Sequence, residues 1–490
     1  MSISIKKQPQ ELSPVYNQMI IVATSSNQTQ ENFQFVADIY CDANYVTRMK
    51  VPVNPEGYGV FDIHKHLENR VSFDFNPNQY YINRATQSFA TYSVNFSEEW
   101  RQYWPFTDNF YVTGTYLGAV GFYGPTQPYF NVGNEILIQQ NPGFSYSQYE
   151  GAHTILAITY SAPNWYITTD APWAGSSATN SGTMSLSNYG LNNISVTASI
   201  TEQYTFNGVQ SFQDYINWDY TQWDATTTSP YGKWFTNVPE NYELTLDSLM
   251  WLNLYQNVTN EVSKVFIQTD NGVYGMTNSF TSMATDNNRF LQVSIGPKQL
   301  VSATSSLTVV SGTLPVLSST TKYMTIWTEN STSDITIAKK TFKIIEGCSR
   351  YEKIQIIFMD KMGSFIPFTF NMVNRNNKTI NRTDFQQHYG TYAPATNNWN
   401  YNTYDRGRKT LDIVVVETYT INSNWVNQET SNYLMELFES PEVYWKKEDG
   451  TIVAINITSN DTERKQTIND QVINYTLTFE LSNKNMTQRG

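Results

Sequence analysis

Apolar and polar residues alternate with a period of two along much of the chain. Ile473, Tyr475, Leu477, Phe479 and Leu481 alternate with mostly polar neighbours near its end, the pattern of a strand with one wet and one buried face. Phe33, Phe35, Ala37, Ile39 and Cys41 do the same against Gln34, Val36, Asp38 and Tyr40, and Asp42-Ala43-Asn44 turns the chain into a further strand, Tyr45 to Val51. Short apolar runs such as 19–23, 155–160 and 354–358 read as buried strands. Turn chemistry punctuates them: Asp270-Asn271-Gly272, Asp360-Lys361-Met362-Gly363-Ser364 and Glu448-Asp449-Gly450 each sit between two strand-like segments. The segment 410–421 reads as one long strand.

Helical spacing is confined to two places. Ile63 and Leu67 share a face in 63–70, with Asp62 positioned to cap. Tyr433, Leu434, Leu437 and Phe438 form a stripe, with Asn427 as N-cap, Glu429 in the positively polarised first turn, and Ser440-Pro441 as the stop. The pattern predicts a mainly β, multidomain protein of β-sandwich or barrel-like domains with a few short helices. Changes in texture divide its 490 residues into an N-terminal arm (1–10), an N-terminal β domain (11–91), an aromatic-rich β/loop region (92–238), a central β domain (239–346) and a C-terminal β domain with one helix (347–490).

Composition adds exclusions. The 34 Tyr and 26 Phe suit pleated, half-buried surfaces. A net charge of −12 with no dense basic run argues against gripping a phosphate backbone. Cys41 and Cys348 are far apart and form no CxxC pair; two buried free thiols are the expectation, with a long-range disulfide as the alternative, and no zinc site. No secretory leader is expected from the polar N-terminal stretch, and no run of about 18 apolar residues predicts a membrane-spanning helix.

No constellation of reacting groups emerges, so catalytic, cofactor-binding and metal sites are all expected to be absent. His64 and His66 are two apart and point to different sides of a helix. Asp384 and His388 are four apart and would meet on a helix, but no nucleophile accompanies them. The cluster Tyr404-Asp405-Arg406-Gly407-Arg408-Lys409 reads either as a contact for an acidic neighbouring subunit or as a solvated turn. Trp165, Trp173, Trp218, Trp223 and Trp234 read either as platforms for sugars or as core and interface rings.

Two parts of the chain resemble a known group. Ser13-Pro14-Val15-Tyr16-Asn17, Asn32-Phe33-Gln34-Phe35-Val36 and Asn54-Pro55-Glu56-Gly57-Tyr58-Gly59-Val60-Phe61-Asp62 are similar to the opening of virion proteins of crAss-like, short-tailed phages that infect Bacteroidota. Cys348-Ser349-Arg350-Tyr351, Asp360-Lys361-Met362-Gly363, Glu417-Thr418-Tyr419-Thr420, Ser440-Pro441-Glu442-Val443-Tyr444 and Tyr475-Thr476-Leu477-Thr478-Phe479 are similar to the closing domain of the same tail proteins. The resemblance covers roughly 11–80 and 240–490; 92–235 matches nothing in it. It implies a non-enzymatic ring, hub or barrel subunit in the virion tail, assembled in the host cytoplasm. Such a subunit would form a homo-oligomer, expected as a six- or twelve-fold ring, against other tail or portal-proximal proteins, with DNA only as passing cargo. An acidic wall would repel that cargo rather than hold it. The alternative is a tail-associated carbohydrate-binding receptor protein using the aromatic middle region.

Overall fold

The computed structural model describes residues 2–483 apart from 79–80, 102, 142–148, 174–180, 187–190, 283–287, 303–305, 346–349 and 460–472. The protein is mainly β, built from several separate sheets with a few short helices. The chain forms two compact units, residues 1–70 with 90–205, and residues 71–89 with 206–490.

In the first unit, Ile3–Lys7, Ile20–Ser25 and Gly59–Asp62 make a three-stranded sheet. Ile20–Ser25 buries every second residue, Ile21 and Ala23 among them, as alternation demands. A second sheet runs in the order Leu12–Pro14, Leu191–Phe206, Phe89–Arg101, Gln34–Cys41 and Asn44–Pro52. Its last two strands form the hairpin expected from the sequence. Asp42 and Ala43 both adopt positive φ (47° and 63°), the backbone a two-residue hairpin turn needs to match strand twist. Gln34–Cys41 buries residues on both faces despite its alternating sequence. It carries Asp38 inward, where Arg48 pairs with the carboxylate at 2.7 Å.

The aromatic-rich middle supplies a sheet of seven strands in the order Asp108–Tyr111, Ala119–Gly124, Asn164–Pro172, Gly151–Ser161, Glu135–Gln140, Gly182–Leu186 and Trp104–Phe106. Every pairing in it is antiparallel. Trp104, Phe106, Phe122, Ile136, Ile167 and Met184 lie in its core. This region was expected to hold strands joined by long loops; its strands pair regularly, and long connections such as 112–118 and 125–134 join them.

The second unit joins two large sheets over one continuous core. The six-stranded sheet runs Tyr242–Leu244, Ile335–Ile344, Tyr323–Glu329, Lys264–Thr269, Gly272–Thr277 and Leu307–Gly312. Its first pair is parallel and the others antiparallel. The ten-stranded sheet runs Arg375–Gln386, Arg408–Asn422, Thr476–Leu481, Ile452–Ile457, Val443–Lys446, Ile354–Met359, Phe365–Phe370, Trp251–Tyr255, Phe290–Ser294 and Ile82–Arg84. It therefore runs across the sequence divisions at 91/92, 238/239 and 346/347. Backbone pairing between distant segments leaves no periodic trace within either one. Tyr242 ties the two sheets by donating from its hydroxyl to the Pro367 carbonyl at 3.0 Å.

The helix Gln428–Glu439 packs Tyr433, Leu434 and Leu437 into this core. Asn427 caps it as expected, its Oδ1 accepting from the Thr430 N–H at 2.8 Å, which satisfies one of the free donors of the first turn. The other expected cap differs. In the short helix His64–Leu67 the N-cap is Ile63, without a side-chain bond. Asp62, which ends the strand Gly59–Asp62, still accepts from the His64 N–H through Oδ1, at a long 3.4 Å, and shares that oxygen with the Met19 N–H at 3.1 Å and the His64 ring nitrogen Nδ1 at 2.7 Å.

Candidate functional site

The most distinctive feature of the second unit is a long antiparallel ribbon. Arg375–Gln386 pairs with Arg408–Asn422 from Arg375↔Thr420 to Gln386↔Arg408, with one irregularity at Thr383/Asp384. The run Ile413-Val414-Val415-Val416 and the neighbouring threonines favour extended backbone. At about 3.4 Å per residue the twelve-residue strand extends roughly 40 Å. All twelve residues of Arg375–Gln386 are exposed, and the partner strand is at most half-buried except at Ile421. Of the ribbon, Thr476–Leu481 pairs with the base alone, Thr418–Asn422. There Tyr419 stacks on Phe479 at 5.2 Å.

Local charge pairs run along the ribbon. Lys378 meets Glu417 at 2.7 Å; that bond, with the Tyr419 hydroxyl, holds the Glu417 carboxyl below its ordinary range. Asp384 accepts from Thr410 Oγ1 at 2.8 Å and pairs with Arg408 at 3.0 Å. Asp384 and His388 therefore do not meet: residues four apart approach on a helix, whereas Asp384 belongs to a strand.

Aromatic residues crowd the ribbon's far end. A small second hairpin, Thr391–Ala393 with Asn398–Asn400, forms its tip. Trp399 donates from Nε1 to the Tyr389 carbonyl at 2.9 Å, and Tyr389 and Tyr401 rings lie 5.7 Å apart. Tyr389, Tyr392, Trp399, Tyr401 and Tyr404 are all exposed, Tyr404 by 79%. The basic cluster 404–409 leads from this tip into the second strand, with Arg406 and Arg408 exposed.

The tryptophans singled out in the middle region lie elsewhere. Trp218 and Trp234 are buried, and Trp223 stacks on Trp218 at 5.7 Å. Trp165 and Trp173 are partly buried against the core of the seven-stranded sheet. Sequence reasoning weighed those rings and passed over the exposed set at 389–404. The signal was there: five rings in sixteen residues without aliphatic residues at core spacing.

A second group is buried. Asp360 accepts from Thr236 Oγ1 at 2.6 Å and from the Met362 and Ser364 N–H groups at 3.0 and 2.9 Å. Glu436, on the helix, accepts from the Lys361 N–H and from Asn237 Nδ2, both at 2.9 Å. Burial first, and the facing Glu436 charge second, push Asp360 above the usual carboxylate range. Burial also raises Glu436. Tyr433 faces the pair, and burial raises its hydroxyl as well. The arrangement pins the 360–364 turn to the helix.

The histidines are dispersed. His64 pairs with Asp62, and His153 lies 3.2 Å from Asp170; His388 lines the hollow beside Tyr389 and Trp399 at the ribbon tip. No group of three or more His, Cys, Asp or Glu residues suited to a metal occurs among the described residues. Cys41 is buried and free, its thiol pushed up to about 12 by burial and by Asp42; Cys348 lies outside the described residues. Among those residues, no helix is long and apolar enough to cross a membrane.

Neither a protein-family model nor a curated protein matches the chain. Among solved structures, dimeric latent PorU from Porphyromonas gingivalis aligns over 70% of this chain at 8% identity with a TM-score of 0.11. The chain spans about a third of that protein's length (34%). A likeness of that size transfers neither fold nor function.

Proposed function

We propose that the protein is a non-enzymatic structural subunit of a phage virion tail, a ring or hub component that assembles into a closed conduit for DNA and ejected proteins. The ribbon 375–422 carries this reading. A two-stranded ribbon exposed on both faces contributes little to its own unit's core, and isolated hairpins are marginal in water. Its use lies in what it reaches. Identical copies that each extend an arm to the next make head-to-tail contacts, which close into a ring when the rotation between copies closes. The similarity of 11–80 and 240–490 to crAss-like phage tail proteins supplies the setting. Cryo-electron microscopy of the purified protein and of the particle is the test. A closed six- or twelve-fold ring around the tail axis supports the proposal; a peripheral trimer projecting outward overturns it.

The exposed aromatic tip favours a second reading, a tail-associated receptor protein that stacks sugars on Tyr389, Trp399 and Tyr401. Glycan-array binding lost on Trp399→Ala would select it over the first.

A further inference from the structure

Charge is unevenly divided along this chain. The ribbon 375–422 holds six Lys and Arg against four Asp and Glu, a net of +2. The remaining chain holds the other 25 basic and 39 acidic residues, a net of −14. The deficit of cations is concentrated: from residue 102 to residue 232 there is no Lys or Arg at all. The whole seven-stranded sheet falls inside that stretch. Its carboxylates are Asp108, Glu135, Glu150 and Asp170, of which Glu135, Glu150 and Asp170 are exposed. Asp170 has His153 at 3.2 Å, whereas several acidic residues of the second unit have Lys partners: Asp247 with Lys298, Glu240 with Lys340, Glu243 with Lys343 and Glu439 with Lys361.

We infer that the ribbon of one copy docks on the seven-stranded sheet of a neighbouring copy, its Arg406, Arg408 and Lys409 end meeting that sheet's carboxylates. The inference rests on the ring reading above and names the two surfaces that make the ring contact. At the docking end Arg406 and Arg408 are exposed, Arg408 while paired with Asp384 at 3.0 Å, and Lys409 is half-buried, so their outer surfaces can be covered by another copy. The sheet also exposes Tyr111 and Tyr160, and its connecting turns expose Leu117 and Val132, a match for the aromatic tip. Opposite charge brings the surfaces together and sets their orientation, while the rings supply the area that is removed from water. A charge of +2 spread over the ribbon is too little for nucleic acid, whose binding depends on many phosphate contacts; an acidic protein face suits it better.

The test uses the full chain and measures assembly mass by light scattering over a concentration series at low salt. Arg406→Glu/Arg408→Glu/Lys409→Glu is expected to weaken assembly by roughly tenfold or more, and Glu135→Lys/Glu150→Lys to do the same. Mixing the two variants is expected to restore assembly, since each supplies the charge the other now needs. Restoration excludes misfolding as the cause of the separate losses. Wild-type assembly by the ribbon variant alone, or failure of the mixture, overturns the docking inference and leaves the ring reading standing. A wild-type chain that stays monomeric throughout overturns both.

Discussion

Asp360 is buried beside a second carboxylate, and its proton is therefore linked to stability. The unfolded chain releases that proton near the ordinary aspartate value of 3.8, whereas the folded chain holds it to higher pH. Above that value the folded state binds more protons than the unfolded one, so stability falls as pH rises toward neutrality. Asp360→Asn keeps the acceptor for the Met362 and Ser364 N–H groups and removes the titration. Urea unfolding at pH 5 and pH 8 should show a wild-type loss of stability that the variant lacks. A variant with the same pH slope would assign the effect to Glu436. Gly363, in the same turn, has φ +83°, and an added Cβ would lie 2.5 Å from the Asn207 carbonyl oxygen. Gly363→Ala is expected to destabilise by about 1–3 kcal/mol, read as a lower urea midpoint.

Individual elements were the most legible level of the sequence. The Asn427 cap, the buried stripe Tyr433, Leu434 and Leu437 and the turn at Asp42-Ala43 all follow from local chemistry, and all stand in the structure. Asn427→Ala should cost about 1 kcal/mol in denaturant unfolding. Pairing between distant elements was not legible. Ile82–Arg84 joins Phe290–Ser294 across some two hundred residues, and neither segment announces its partner. The ribbon was half legible: 410–421 reads as a strand, but Val414-Val415-Val416 suggests burial, and the wet surroundings come from the partner strand's polar sequence. Because the ribbon tip stands clear of its own unit's core, replacing 387–407 by Asn-Gly should change unfolding free energy by only about 0.5 kcal/mol. A large loss would mean that the tip supports its own unit.

At the scale of the whole molecule, the mainly β architecture was readable from composition and period, whereas the charge map required position as well as count. The net of −12 says nothing of distribution: cations are missing from one entire sheet and enriched on one arm. If opposite charge steers the ring contact, raising salt should slow assembly more than it accelerates dissociation, since screening acts on approach. Stopped-flow light scattering at several ionic strengths would separate the two rates, and a salt-independent association rate would rule steering out.

The Lys- and Arg-free stretch has a practical consequence as well. Trypsin cuts after Lys and Arg, so between Arg101 and Lys233 it has nowhere to act, and residues 102–233 leave the digest as one fragment of 132 residues. The ribbon offers six cleavage sites in 48 residues. Most of those cuts release fragments of one to four residues, so a peptide survey would record the arm by its tip, 383–406, and by 410–446, and pass over the sheet. If the proposed ring forms, slower cutting of the arm in it than in the free chain would report that the arm is covered, without any change to the protein.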